Sequence, residues 1–177
     1  MRYPEYPVPA DEIQRQVTLA SYGVLDTPSD EHFDRLARLA AKLIHAPIAL
    51  ISLIDATRQW FLARHGLDIA ETPRHMAFCA HAIIADEPLV IADAQLDPRF
   101  CTNPLVTSDP YIRFYAGVPL KSPEGHNLGT LCVLDRLPRH FTSTQESLLC
   151  DLAQLVLREL EIRRLSHAST GKDETGN

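Results

Sequence analysis

Cys79-Ala-His81 is the first place in this chain where residue types and proximity point to chemistry. A thiol near the start of a helix is stabilised as thiolate, and a nearby imidazolium adds to the effect. The spacing works against a Cys–His couple, because residues i and i+2 of a helix point about 200° apart. Two readings stand side by side. Cys79, next to Phe78, is a pocket-lining or redox-sensing thiol with His81 close by, or it is a core-facing cysteine beside a capping or surface histidine.

A second candidate group lies on a strand expected over 113–120. Arg113, Tyr115 and Gly117 share one parity, and Phe114, Ala116 and Val118 share the other. On a strand covered on both faces, an arginine and a tyrosine must find partners or reach a cavity. That parity is therefore assigned to a pocket, with Thr130, Cys132 and Leu134 as counterparts on the neighbouring strand. Arg113 serves as an anion clamp, since guanidinium matches carboxylate in a bidentate way, or it pairs with Asp93, Asp97 or Asp109. Asp93 is counted with the pocket on this ground. Trp60 and Phe61 occupy adjacent strand positions facing opposite sides, and Trp60 is favoured for the pocket. Arg99, Phe100 and Asn103 fall in a long loop, where ligands tend to be gripped. Alternatively these residues anchor the loop: Asp97 caps, Phe100 plugs into the core and Asn103 bonds the backbone.

Other chemistries find no anchor. The cysteines at 79, 101, 132 and 150 form no CxxC pair, and the eight histidines form no HxH or HxxxH, so no metal site is expected. Neither GxxxxGK[ST] nor GxGxxG is present. No catalytic residue and no cofactor are assigned.

The elements that position these residues fit one domain. The chain has 177 residues, 45% apolar and 23% charged, which suits a single globular core. The net charge of -6 and the lack of a basic run exclude a phosphate-binding stripe, so no nucleic-acid partner is expected. Apolar runs are strand length and the N-terminus lacks a signal-like stretch, so a cytoplasmic protein away from membranes, with free thiols, is expected.

Residues 1–10 read as a loose arm, 11–165 as the domain and 166–177 as a disordered tail. A helix from about Glu12 to Tyr22, capped by Asp11, presents Ile13, Val17 and Ala20. A second helix, capped by Ser29, presents Phe33, Leu36, Ala37, Ala40 and Leu43. IALISLID (48–55) is apolar at both parities and reads as a strand covered on both faces. Strands follow at 59–64, 89–93, 113–120 and 128–135, with a short helix at about 77–85 and a helical turn within 97–106. Gly125 in SPEGHN suits positive φ. Thr142 and Gln145 form a capping box for a last helix, whose stripe Leu149, Ala153, Val156 and Leu160 docks on the sheet. Its second stripe, Leu148, Leu152, Leu155 and Ile162, needs the N-terminal helices or a second copy of the chain. The fold class is α/β (α+β): a mainly antiparallel sheet, terminal helices on one face and the insertion 66–110 on the other.

This arrangement resembles the GAF domain, a family of small sensory modules, over about residues 20–165. The segments that carry the resemblance are YGVLDTP (22–28), PIALISLID (47–55), RQWF (58–61), ETPR (71–74), FCAHAI (78–83), PLVIADA (88–94), DPRF (97–100), NPLV (103–106), IRFYAGVPL (112–120) and LGTLCVLDR (128–136). They are nearest the branch at the N-termini of bacterial sensor histidine kinases and diguanylate cyclases. The resemblance implies a central antiparallel sheet of about six strands, a ligand between sheet and insertion, and a homodimer through terminal helices at 11–22, 30–45 and 142–165. The residue set of cyclic-nucleotide-binding members and the cysteine-histidine pair of bilin-attaching members are not found. Only a tail follows residue 165, so a stand-alone sensor of an unidentified small molecule is expected, signalling within the dimer or in trans to a partner protein. The alternatives are a ligandless dimerisation scaffold and an enzyme similar to the thiol-dependent free methionine sulfoxide reductases. In that family Cys79 would match a pocket cysteine by position, but Tyr115 and Cys132 stand where it carries acids.

Overall fold

A computed structural model of the chain describes residues 6–173, with side chains through residue 169. The elements run α1 (Glu12–Ser21), α2 (Glu31–Ile44), β1 (Ile48–Ile54), β2 (Arg58–His65), β3 (Glu71–Pro73), a 3-10 turn at Arg74–Met76, α3 (Phe78–Ala82), β4 (Leu89–Ile91), α4 (Pro104–Thr107), β5 (Phe114–Lys121), β6 (Asn127–Asp135) and α5 (Ser143–Asp173). The six strands form one sheet in the order β3-β2-β1-β6-β5-β4, and every pairing is antiparallel.

The doubly apolar pattern of β1 has the expected consequence: all seven of its residues are buried. Ala49, Ile51 and Leu53 face a core shared with Phe33 and Ala37 of α2 and Ala153, Val156 and Leu160 of α5. Ile48, Leu50 and Ile54 face a second core with Phe78, Phe100 and Val106 from the insertion. The sheet is thus the middle of three layers. Burial of such aliphatic side chains contributes roughly 1.5–3 kcal/mol each.

The helix ends follow local chemistry. Thr142 and Gln145 make the reciprocal capping box: Gln145 N–H donates to Thr142 Oγ1 at 3.2 Å, and Thr142 N–H to Gln145 Oε1 at 3.0 Å. Gly125 takes φ 94 in the β5–β6 turn. At α2 the cap is Asp30 rather than Ser29, its side chain accepting from His32 N–H. Asp11 stands at the N-cap of α1 as expected, but its carboxylate makes no cap bond and meets His126 Nδ1 at 2.5 Å instead.

Three expectations about the helices are corrected. Helix α1 buries Arg15 and Leu19 and leaves Ile13 and Val17 78% and 68% exposed. Arg15 is held inside because its guanidinium donates to the Ile54 carbonyl at 2.7 Å and pairs with Glu12 at 2.8 Å. In α2 the buried side turns toward Ala41 and Ile44, leaving Leu43 exposed. Helix α5 does not stop at 165 but continues to Asp173, and the hydroxyls of Ser166 and Ser169 donate back to the carbonyls of Ile162 and Leu165. The remainder of the expected arm and tail, 1–5 and 174–177, lies outside the described residues.

Candidate functional site

The face of the sheet toward the insertion carries a line of polar side chains in apolar surroundings. Gln59 of β2 donates through Nε2 to Thr72 Oγ1 of β3 at 3.0 Å. Its Oε1 accepts from Ser52 Oγ of β1 at 2.9 Å. Ser52 pairs in register with Thr130 of β6, and Gly117 of β5 with Cys132 of β6. Thr130 Oγ1 donates to Cys79 Sγ of α3 at 3.1 Å, and the Tyr115 hydroxyl of β5 donates to the same sulfur at 3.3 Å. Cys132 Sγ lies 3.8 Å from Cys79 Sγ. Five adjacent strands therefore each place a polar group on one buried face, and Cys79 reaches down from the roof to meet Thr130 and Cys132 of β6 and Tyr115 of β5.

Strand pairing explains the convergence. Directly opposed residues of an antiparallel pair share a face, so the register carries Ser52, Thr130 and Cys132 to the insertion side. Gly117 leaves room there, since a Cβ at that position would stand 2.1 Å from the Tyr115 oxygen. Phe78 stacks on Phe100 and Tyr115, with ring centroids 4.3 and 5.2 Å away, which fixes the tyrosine ring against the start of α3.

The electrostatics of the group are unequal. Burial pushes the Cys79 thiol up, but hydrogen bonds with Cys132, Ser52, Thr130 and Tyr115 outweigh it and bring the thiol down to about 7. Burial and the neighbouring Cys79 push Tyr115 and Cys132 well above their ordinary values. The first proton to leave the thiol pair is that of Cys79, while Cys132 and Tyr115 remain donors to it.

Beside this group lies a cavity of about 30 Å³. Its lining includes Leu50, Gln59, Phe61, Thr72, Phe78, Cys79, Leu105, Ile112, Tyr115 and Cys132. Among the described residues this lining holds no charged side chain. The lining extends to Ile69, which is 40% exposed, while Cys79 and Cys132 themselves are buried.

The expected pocket residues divide. Phe78, Cys79, Tyr115 and Cys132 come together at the cavity, although strand parity bears only on Tyr115 and Cys132. Phe100 packs beneath them at full burial without lining the cavity. Trp60 does not belong: it packs on the helix-side core, and Phe61 takes the cavity side. The cause is a bulge, because Ile51 pairs with Ala63 but Ser52 with Phe61. Arg113 precedes β5, lies outside the cavity lining and turns to the carbonyls of Val106 and Ile112 at 2.9 and 3.0 Å; among the described residues it pairs with no aspartate. Arg99 is exposed and pairs with Asp97 at 2.6 Å. Asp93 accepts from Gln95 N–H in the turn after β4. Asn103 caps α4 and donates to the Met76 carbonyl at 3.0 Å, which is loop anchoring. His81 meets the edge of Phe100 at 4.8 Å, and burial together with Arg99 pushes its imidazolium down. Sequence reasoning missed Phe61, Ser52, Gln59 and Thr72, although Ser52 is the single polar residue of IALISLI.

Among the described residues no helix is long and apolar enough to cross a membrane, and no group of three or more His, Cys, Asp or Glu is placed to hold a metal.

The chain is a three-layer α+β unit with a buried polar group between sheet and insertion. The GAF domain family model matches residues 29–160, and the chain belongs to that family. A cyclic di-GMP phosphodiesterase of Pseudomonas aeruginosa is 46% identical over 159 residues, which are 89% of this chain and 27% of that protein. The chain thus spans about a quarter of the length of this curated relative. The GAF domain from a phosphoenolpyruvate-protein phosphotransferase of Coxiella burnetii has a TM-score of 0.66 at 18% identity, covering 88% of this chain and 96% of that one. A free methionine-R-sulfoxide reductase of Neisseria meningitidis has a TM-score of 0.63 at 18% identity, covering 94% and 99%. At these identities the two structures show a shared fold.

Proposed function

We propose that this GAF domain senses a small, neutral, weakly polar molecule at the cavity between the sheet and α3, and passes the signal through its terminal helices. The polar line from Thr72 to Tyr115 carries the reading. Buried polar groups on an apolar face cost free energy unless they serve packing or a ligand. A lining without charge matches a neutral ligand better than an anion, because a buried anion needs a counter-charge. The small volume requires either a very small ligand or outward movement of α3 and α4.

On the output side, Ile13, Val17, Leu155 and Ile162 are exposed apolar residues of α1 and α5. A second copy of the chain covers them in this reading, and a signalling protein in trans is the other recipient. The ligandless scaffold accounts for the small volume but not for the polar line. The reductase-like reading meets an uncharged lining that offers a zwitterionic amino acid no partner.

Native mass spectrometry and thermal-shift measurement with neutral small metabolites test the proposal. The expected result is a retained adduct or a raised Tm that Tyr115→Phe diminishes. Unchanged mass and unchanged Tm across such a set would remove the sensing role.

A further inference from the structure

We propose that Cys79 and Cys132 form a dithiol couple that small hydroperoxides oxidise to a disulfide, making the cavity a redox input. The proposal rests on the reading of this cavity as the input site and names the chemistry of one input.

Four observations carry it. The two sulfurs are 3.8 Å apart and both line the cavity. They sit on different layers, Cys79 on α3 of the roof and Cys132 on β6 of the sheet. Two hydroxyls, Thr130 and Tyr115, donate to Cys79 Sγ, which favours its thiolate and distinguishes it as the attacking sulfur. The cavity volume of about 30 Å³ is above the roughly 10–15 Å³ that one water needs and far below the roughly 300 Å³ of ordinary ligand pockets. Hydrogen peroxide is neutral and only one oxygen larger than water, so it suits a space that excludes bulky or charged oxidants. The other two thiols, Cys101 and Cys150, are exposed and half-buried on other parts of the fold.

The chemistry balances in two steps. The Cys79 thiolate attacks one peroxide oxygen; an S–O bond forms, the O–O bond breaks, and the departing hydroxide takes up the thiol's proton as water. This leaves Cys79 as sulfenic acid. The Cys132 sulfur then attacks the Cys79 sulfur; the S–S bond forms, the S–O bond breaks, and the hydroxyl leaves with the Cys132 proton as a second water. Two thiols lose two electrons in total, and one peroxide gains them. A dithiol reductant reverses the change by exchange. Forming the bond brings the sulfurs about 1.8 Å closer, to the roughly 2.05 Å of a disulfide. That draws the start of α3 toward β6 and releases the Thr130 and Tyr115 hydroxyls from the sulfur.

The test uses the full chain with Cys101→Ser and Cys150→Ser, treated with hydrogen peroxide, alkylated and mapped without reduction. The expected product lacks two hydrogens, links Cys79 to Cys132 and reverts with dithiothreitol. Adding Cys132→Ser is expected to leave a sulfenic acid on Cys79 that dimedone traps. Adding Cys79→Ser is expected to slow peroxide consumption at least about tenfold. Two alkylatable thiols after excess peroxide, in protein whose circular dichroism is native, would overturn the proposal. So would oxidation of Cys132 at an unchanged rate in Cys79→Ser. If the reduced protein still binds neutral metabolites while its thiols ignore peroxide, this proposal fails and the sensing reading stands. A mapped disulfide with no metabolite bound supports the proposal and removes the reversible-ligand reading.

Discussion

The Tyr115 hydroxyl fills the space that a side chain on Gly117 would take. A Cβ there would lie 2.1 Å from the oxygen and 2.6 Å from the ring carbon that bears it. The glycine thereby lets the tyrosine fold back along its own strand to reach Cys79. Gly117→Ala is expected to cost about 1–3 kcal/mol by overpacking, read from urea denaturation midpoints. Adding Tyr115→Phe should return part of that loss, because the oxygen goes but the ring remains. Strict additivity of the two changes would show that the close approach does not govern the site.

The reactivity of Cys79 should follow pH through neutrality. Its thiol lies at about 7 because hydrogen bonds outweigh burial, and the titratable groups facing it, Tyr115 and Cys132, stay protonated there. In a chain with Cys101→Ser and Cys150→Ser, alkylation by a small neutral reagent should rise with pH to a midpoint near 7. Thr130→Ala removes a donor to the thiolate, so the midpoint should move upward. A midpoint at the ordinary thiol value, unmoved by Thr130→Ala, would show that the hydroxyls do not stabilise the thiolate.

Part of this site is legible in the sequence, and the reason is parity. From Phe114 to Pro119 of β5 and along the β6 residues opposite them the alternation holds, so Tyr115, Thr130 and Cys132 can be placed on one face from the chain alone. On β2 the extra residue opposite Ile51 and Ser52 reverses the alternation, so the chain alone does not decide which of Trp60 and Phe61 faces the cavity. Arg113 fails for another reason: strand parity does not bind a side chain one residue before the strand, and two backbone carbonyls claim it. The buried side of α1 is unreadable locally, since Arg15 is held by the end of β1, 39 residues away in sequence. The layers themselves are legible because a strand apolar at both parities needs cover on both sides.

Glu12 should make the fold sensitive to acid. Burial pushes its carboxyl up, but hydrogen bonds from Arg15, Arg74 and Gln16 outweigh this and bring it to about 2 from an ordinary 4.5. A carboxyl lowered in the folded state binds fewer protons there than when unfolded. Its contribution is therefore full above pH 4.5 and is lost as pH falls toward 2. Glu12→Gln leaves the buried Arg15 and Arg74 without their carboxylate and should cost about 2–3 kcal/mol at pH 7. The cost should shrink on acidification across that window. Denaturation midpoints of both proteins at several pH values check this, and a constant difference would show that the ion pairs contribute nothing.

The proposed helix-mediated dimer makes a separable prediction. Leu155 and Ile162 are each about half exposed on α5, at 50% and 49%. Replacing both with Glu should change the stability of one folded chain by no more than about 0.5 kcal/mol per site. In a dimer that covers them, the same change buries charges without partners, a cost of several kcal/mol. Sedimentation equilibrium should therefore show a dimer for the native chain and a monomer for the double variant, with matching circular dichroism. Arg158 and Glu159 lie between these two positions on the same helix. Charge reversal at both leaves the apolar side chains in place, so it should weaken association less than the two glutamates do. Equal dissociation by both variants would mean that charge, not the apolar stripe, holds the copies together.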